Sequence, residues 1–415
     1  MKVKKFLIVF NLFLIFTGIF IEPSMSILQN YKSLIMGSDA LISDYFIKGS
    51  IGSAFLNAGL VGMISIVLMV VSSHKFNVMS LSSVMLMSGF AFFGKNIVNI
   101  WPIIFGVYLY TLYQKKDFGE NIPIALFATS FSPIVSEFLF VYSGNLIFRI
   151  ALALALGISI GFVIVFFSNH IYKIHKGYNL YNVGFAIGLL STLYVSLMKS
   201  YGYVFESELL WDYHFNLWMY GYFSIIFLMM VIIGLKEGSF KSYKELLKSS
   251  GYRADYLSDY GFSTVILNMG VNGLFTLAFL YMIKVPLNGP VIGGLLTILG
   301  FSGNGKHIRN MLPIFVGVYL GSVTKVWSIQ DPSIVLSALF GTGLAPLAGS
   351  FGFLAGAVAS YLNSSVVLNT GFLHGGLNLY NTGFAIGIVC ALIVPLYEAI
   401  SRKKKALIMN DGKKI

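Results

Sequence analysis

HKGYNLYNVGFAIG at 175–188 returns as HGGLNLYNTGFAIG at 374–387, with eleven of fourteen positions identical. Working outward from this block, a second match lies earlier in the chain. Asn57-Ala-Gly59-Leu-Val-Gly62 recurs as Asn268-Met-Gly270-Val-Asn-Gly273. Gly89-Phe90, Gly94-Lys95, Asn99, Pro102-Ile103 and Gly106-Val-Tyr-Leu109 recur 211 residues later as Gly300-Phe301, Gly305-Lys306, Asn310, Pro313-Ile314 and Gly317-Val-Tyr-Leu320. Thr129 and Pro133 match Thr342 and Pro346. Apolar composition alone does not keep glycine, asparagine and lysine in step over such a distance, so the chain is an internal duplication.

The segments between these marks are apolar and long. The chain is 57% hydrophobic and 11% charged, with a mean hydropathy of +0.81. A soluble domain carries about 25% charged residues, so the composition points to lipid. Apolar runs place helices near 6–22, 51–73, 77–94, 97–113, 122–141, 146–168 and 179–199, and again near 217–235, 262–283, 288–304, 310–326, 333–349, 351–368 and 379–399. The expected fold class is therefore all-α and integral to the membrane, with about 14 transmembrane helices in two seven-helix repeats. Their domains are residues 1–200 and 217–400, joined by an outer loop at 201–216 and followed by a basic tail at 401–415. The basic start Met1-Lys-Val-Lys-Lys5 and the apolar run after it resemble a signal peptide, but no small-residue cleavage site follows. The run also has a counterpart near Trp218, so it is read as a retained first helix.

An odd number of crossings per repeat inverts the second copy relative to the first. The basic residues test this. With the N-terminus inside, Lys115 and Lys116, Lys173 and Lys176, the loop 236–261 and the Arg402–Lys405 run all fall inside. The outer loop carries Glu206, Glu208 and Asp212, and the counterpart of the Lys115 loop, Trp327–Asp331, has no basic residue. This is the positive-inside pattern, and it accounts for the net charge of +12 without nucleic acid. The expected location is the cytoplasmic membrane of a cell, with both termini in the cytoplasm. The Gly-rich segments 77–113 and 288–326 also suit re-entrant hairpins, which leave the inversion unchanged. Ser43-Asp44-Tyr45 and Ser258-Asp259-Tyr260 precede matched apolar runs and read as helix caps.

Several polar residues are candidates for a solute site. Gly300-x-x-x-x-Gly305-Lys306-His307 imitates a phosphate-binding loop but lacks the Ser or Thr after lysine and the strand before it. Lys95 and Lys306 themselves are matched cations between apolar segments. They either snorkel at the two interfaces, as full crossings imply, or approach the midplane as an anion-attracting pair. Asn57 and Asn268 sit beside glycines that permit close helix packing, or mark helix breaks that free polar groups for a solute. Asn179, Tyr181 and Asn182, with Asn378, Tyr380 and Asn381, stand at helix starts, where free amides suit an anion and where Asn also serves as a plain cap. Asn182 and Asn381 are expected to face one shared central cavity. Glu137 has Ser350 as its counterpart and reads as a proton- or cation-coupling group at depth or as an outer-interface residue. No metal-ligand spacing occurs, and the single cysteine, Cys390, reads as a small core side chain.

Gly-x-x-x-Tyr-Asn-x-Gly-Phe-Ala-Ile-Gly once per half, with an earlier Asn-x-Gly-x-x-Gly, resembles a bacterial multi-pass membrane family described as a domain of unknown function. A weaker resemblance is to urea transporters, whose halves carry Asn-Pro-x-x-Gly and Gly-Tyr-Asn elements. Here Ala58 and Met269 replace the proline, and the two elements lie farther apart. The urea likeness implies a channel-like permease for a neutral polar solute. Duplicated polar blocks in inverted halves point to transport, and matched Lys95 and Lys306, free amides at helix starts and few acidic residues in the apolar segments favour a small anion or carboxylate as its solute. A membrane enzyme or assembly factor is the alternative of another class, and it requires an asymmetric catalytic set. No cofactor is expected. The expected partners are the lipid bilayer, a small solute and a second copy in a homo-oligomer.

Overall fold

A computed structural model of the chain describes residues 2–206 and 208–411, with side chains described up to residue 401. The basic run at 402–405 thus lies outside the described side chains. Among the described residues there is no strand, only one bridge between Ser43 and Leu210. All fourteen expected segments are helical, from Lys2–Ile21 to Asn381–Asp411.

Their lengths divide them. Among the described residues, eight helices are long and apolar enough to cross a membrane, or nine if Phe118–Phe131 and Pro133–Val141, bent by 50°, form one span. This is the build of a membrane protein with eight or more candidate crossings, and the four shorter apolar helices fall in the Gly-rich segments 77–113 and 288–326 that also suit hairpins. Val78–Phe90, Trp101–Tyr113 and Gly289–Phe301 have 13 residues each and Ile308–Thr324 has 17. Thirteen residues rise about 20 Å, against a hydrocarbon core of about 30 Å. The remaining segment, Phe353–Leu373, is long enough but carries Ser360, Asn363, Ser364 and Thr370.

The short helices are core elements. Every residue of Gly289–Phe301 is buried, as is every residue of Val78–Phe90 except Met79. Each begins on a matched asparagine cap. Asn77 accepts from the Met79 and Ser80 amides, and Asn288 accepts from Val291. The two helices pack antiparallel, and their contact is reciprocal. Gly89 lies against Gly293, and Gly300 lies against Ser82, whose hydroxyl donates to the Gly300 carbonyl at 3.2 Å. Gly293 is the counterpart of Ser82 and Gly300 that of Gly89, so the same pair of positions meets twice.

Other contacts obey the same rule. Gly188 packs on Phe384 while Gly387 packs on Phe185. Leu180 donates its amide to Gly343 in the other half, and Leu379 donates to Ser130, the counterpart of Gly343. Tyr45 donates its amide to Phe92, and Tyr256 to Gly303, again 211 residues on. That bond revises one correspondence. Asp44, which caps its helix through the Phe46 amide, corresponds to Asp255, which caps through Ser258, rather than to Asp259.

Loops gather on two faces. On one, Lys2 pairs with Glu237, Lys176 pairs with Glu398, and the Tyr252 hydroxyl reaches the Lys176 carbonyl. On the other, Leu41 bonds Gly376, Asp44 bonds Leu210, and Gln330 bonds Ile283.

The Gly-Val-Tyr-Leu motif is explained by helix crossing. A Cβ on Gly106 would stand 2.2 Å from the Ile158 carbonyl oxygen, and one on Gly317 would stand 2.2 Å from that of Ala357. Gly106→Ala and Gly317→Ala should therefore each lower the thermal unfolding midpoint of the solubilised protein, by the equivalent of about 1–3 kcal/mol for an overpacked contact. Gly221→Ala, where nothing lies within 4 Å, should leave the midpoint unchanged.

Candidate functional site

The chain breaks after each short helix, at 91–100 and 302–307. Gly94 and Gly305 adopt φ of +111° and +119°, a conformation that residues with a Cβ avoid. The turn delivers the next residue, Lys95 or Lys306, into the core. Both lysines are 0% exposed. Snorkelling needs an ammonium in water, so the interfacial placement expected from full crossings does not hold. Its premise fails because the flanking helices are too short to carry the lysines to a surface.

Asn57 and Asn268 clamp these breaks. The Asn57 amide donates to the carbonyls of Ala91 and Lys95 at 2.7 and 2.8 Å, and the Asn268 amide to those of Ser302 and Lys306 at 2.8 and 2.7 Å. The donors are taken up by the backbone, so these residues position the lysines. Asn99 and Asn310 close the turns onto the Gly94 and Gly305 carbonyls. The second half adds Asn272, which donates to Ser302 and Lys306.

Asp39 went unmarked in the sequence because its position 211 residues later is Ser250, so no repeat signal exists. It is fully buried and accepts from Tyr45, Lys48, Asn96, Asn99 and Ser136 at 2.5–3.1 Å. In the second half His307 instead meets the Ser249 carbonyl at 2.9 Å.

The fourteen-residue blocks place two tyrosines. His175 bonds Asn182 and His374 bonds Asn381, each at 2.9 Å. The same asparagines donate to Ser168 and Val367. Asn179 and Asn378 accept from the Tyr181 and Tyr380 amides. This bracing sets the rings of Tyr181 and Tyr380 5.0 Å apart at the meeting of the two halves.

The lysines flank that pair. Lys306 donates to the Tyr181 hydroxyl at 2.6 Å and lies 5.3 Å from the Phe301 ring centroid. Lys95 lies 5.0 Å from the centroid of Phe90, which packs on Tyr380 at 4.7 Å, and among the described residues its nitrogen reaches only the Leu126 carbonyl and the Met87 sulfur, both at 3.3 Å. Among the described residues no carboxylate pairs with either lysine. Phe90 and Phe301 carried a sequence signal as part of the repeat, but nothing in it showed that they bear the cations.

Two cavities approach this centre. One of ≈210 Å³ is lined by Phe127, Asn169, Asn182, Phe301, Tyr181 and Tyr380. The other, of ≈450 Å³, is lined by their counterparts Phe340, Leu368 and Asn381, together with Lys199 and Glu208, and includes neither tyrosine. Asn182 and Asn381 thus line separate matched cavities instead of a shared one, because each is tied to its own preceding helix. Glu137 is buried and accepts from the Tyr203 hydroxyl at 2.6 Å, apart from the lysines and beside the 200–216 loop. Among the described residues no cluster of His, Cys, Asp or Glu could hold a metal ion.

A family model described as "Protein of unknown function (DUF1576)" matches residues 23–200 and 235–399, and the chain belongs to that family. No curated protein and no solved structure matches it, so the likeness to urea transporters remains one of short motifs.

The five donors on Asp39 make it a severe site to truncate. Asp39→Ala should destabilise the protein by about 3–5 kcal/mol, the cost of leaving a buried ion-pair network without its acceptor. Denaturant unfolding of the reconstituted protein measures this, and a loss below about 1 kcal/mol would contradict the assignment.

Proposed function

We propose that this member of the family moves a small anion, a carboxylate in the favoured form, across a cell membrane through a site between two inverted repeats. The observation that carries this reading is the pair of buried lysines at matched helix breaks with no carboxylate beside them among the described residues. A lysine kept in an apolar core without a counter-charge is costly when charged, and ionisable groups at such depth in membrane proteins commonly mark a substrate path. An anion supplies the missing charge.

Inversion is supported by the reciprocal contacts. In a two-fold arrangement position i meets j of the other copy while j meets i, as Gly89, Ser82, Gly300 and Gly293 do. An axis lying in the membrane plane turns one repeat over. It also puts Lys2, Lys176 and the loop 236–261 on one face, the cytoplasmic one by the positive-inside pattern. The cavity at Asn169 then opens inward, and the one at Lys199 and Glu208 opens outward. The discontinuous helices resemble in kind those that build midplane sites in secondary transporters. Glu137, beside the outer loop, is the candidate coupling group.

The neutral-solute reading needs both lysines drawn away to the interfaces, and their full burial weighs against it. The duplication of Lys95 and Lys306, Asn57 and Asn268, and Tyr181 and Tyr380 in the centre favours transport over an enzyme, whose catalytic set is asymmetric.

Proteoliposome uptake of acetate, benzoate, chloride and urea tests the proposal. Wild-type protein should accumulate at least one anion, and Lys95→Gln or Lys306→Gln should lower that uptake by about tenfold or more, as loss of a charged contact does. Urea uptake at equal rates in wild type and both variants, with no anion uptake, would refute it.

A further inference from the structure

The two halves match in sequence and packing, yet corresponding hydrogen bonds are made in one half and open in the other. Lys306 holds the Tyr181 hydroxyl at 2.6 Å. Its counterpart Lys95 does not hold the hydroxyl of Tyr380, which is buried and has no partner among the described residues. A second pair behaves in the opposite sense. Tyr31 donates to Asn57 at 3.2 Å, whereas the hydroxyl of Tyr243, which matches Tyr31 in the Tyr-Lys pairs at 31–32 and 243–244, and the Asn268 oxygen are both buried with no partner among the described residues. The matched cavities differ too, since only the one at Asn169 reaches the tyrosines.

We propose that the two lysine–tyrosine pairs are alternating halves of one anion gate. In this conformation Tyr181 occupies Lys306, while Lys95 and the free hydroxyl of Tyr380 form the half-site that takes the solute's carboxylate. Exchange of the halves closes Lys95 onto Tyr380, opens Lys306 and Tyr181, and transfers access to the tyrosines to the opposite cavity. The inference rests on the transport reading and adds how the site is handed between faces.

Symmetry supplies the reason. Two equivalent arrangements of a pseudo-symmetric core lie close in energy, and a few bonds made in one and broken in the other set the balance. One anion, held by one ammonium and one hydroxyl, is bound per cycle. The second lysine keeps a hydroxyl partner meanwhile, so no bare ammonium remains beside the first. The Tyr31–Asn57 bond, broken in its counterpart, shows that the asymmetry reaches the clamps that position the lysines.

The test needs no identified solute. In a Cys390→Ala background, Asn169→Cys and Leu368→Cys report on the two matched cavities, and the ratio of their thiol-labelling rates in nanodiscs reads the balance. Tyr181→Phe removes the bond that holds this conformation, and Tyr380→Phe removes the bond that holds the other. The two variants should move the ratio in opposite directions, by up to about tenfold each. The double variant should return it toward the wild-type value. Shifts in the same direction, or no shift in either, would overturn the exchange, and a loosened fold would be recognised by faster labelling at both sites. Wild-type anion uptake decides the transport reading separately: uptake with same-direction shifts leaves transport standing and removes the gate, while opposed shifts without uptake keep the exchange of the two lysine–tyrosine pairs and overturn its role in transport.

Discussion

Two lysine side chains buried in an apolar helical core, with no carboxylate among the described residues to meet them, set the terms for the rest of the structure. Even after relaxation a buried ion costs several kcal/mol. The fold offsets part of this locally. Aromatic faces at 4.9–5.3 Å contribute cation–π attraction, about 0.5–2 kcal/mol per contact. The Tyr181 hydroxyl contributes one strong hydrogen bond. What surrounds each lysine serves to keep it there: a short helix that ends in the core, a glycine that turns the chain, and an asparagine that grips the carbonyls on either side of the turn. Replacing that machinery with a continuous apolar helix would be simpler, so its presence in both halves argues that the charges are wanted.

Duplication turns one such device into a paired one. The reciprocal contacts bring Tyr181 and Tyr380 together, so the lysines share a centre. Because the halves are equivalent in construction but differ in which bonds are made, the centre has a built-in alternative to its present state. That combination links helix packing to function: close glycine contacts fix the symmetry, and polar bonds at the middle are free to break it.

Much of this was legible in the sequence, and the rest was hidden for identifiable reasons. The repeat, the helical segments and the lysine, asparagine and tyrosine positions could be read because they recur. The burial of Lys95 and Lys306 could not, since Gly-Lys between apolar runs reads equally as a loop at a membrane surface. The roles of Asn57, Asn268, Asn182 and Asn381 were hidden too, because their amide groups donate to backbone carbonyls, some of them distant in sequence. Asp39 was invisible because only one half has it. Recurrence in a single sequence thus reports what both copies need and is silent on what one copy needs alone.

The central claim is that the buried lysines meet an anion, and crystals grown with 4-bromobenzoate would test it most directly. The account predicts an anomalous bromine peak in the core near the Tyr181–Tyr380 pair, with the carboxylate against the ammonium of Lys95 and the Tyr380 hydroxyl. Both lysines turned out to the membrane surfaces, with the core filled by apolar side chains and no ligand, would contradict it.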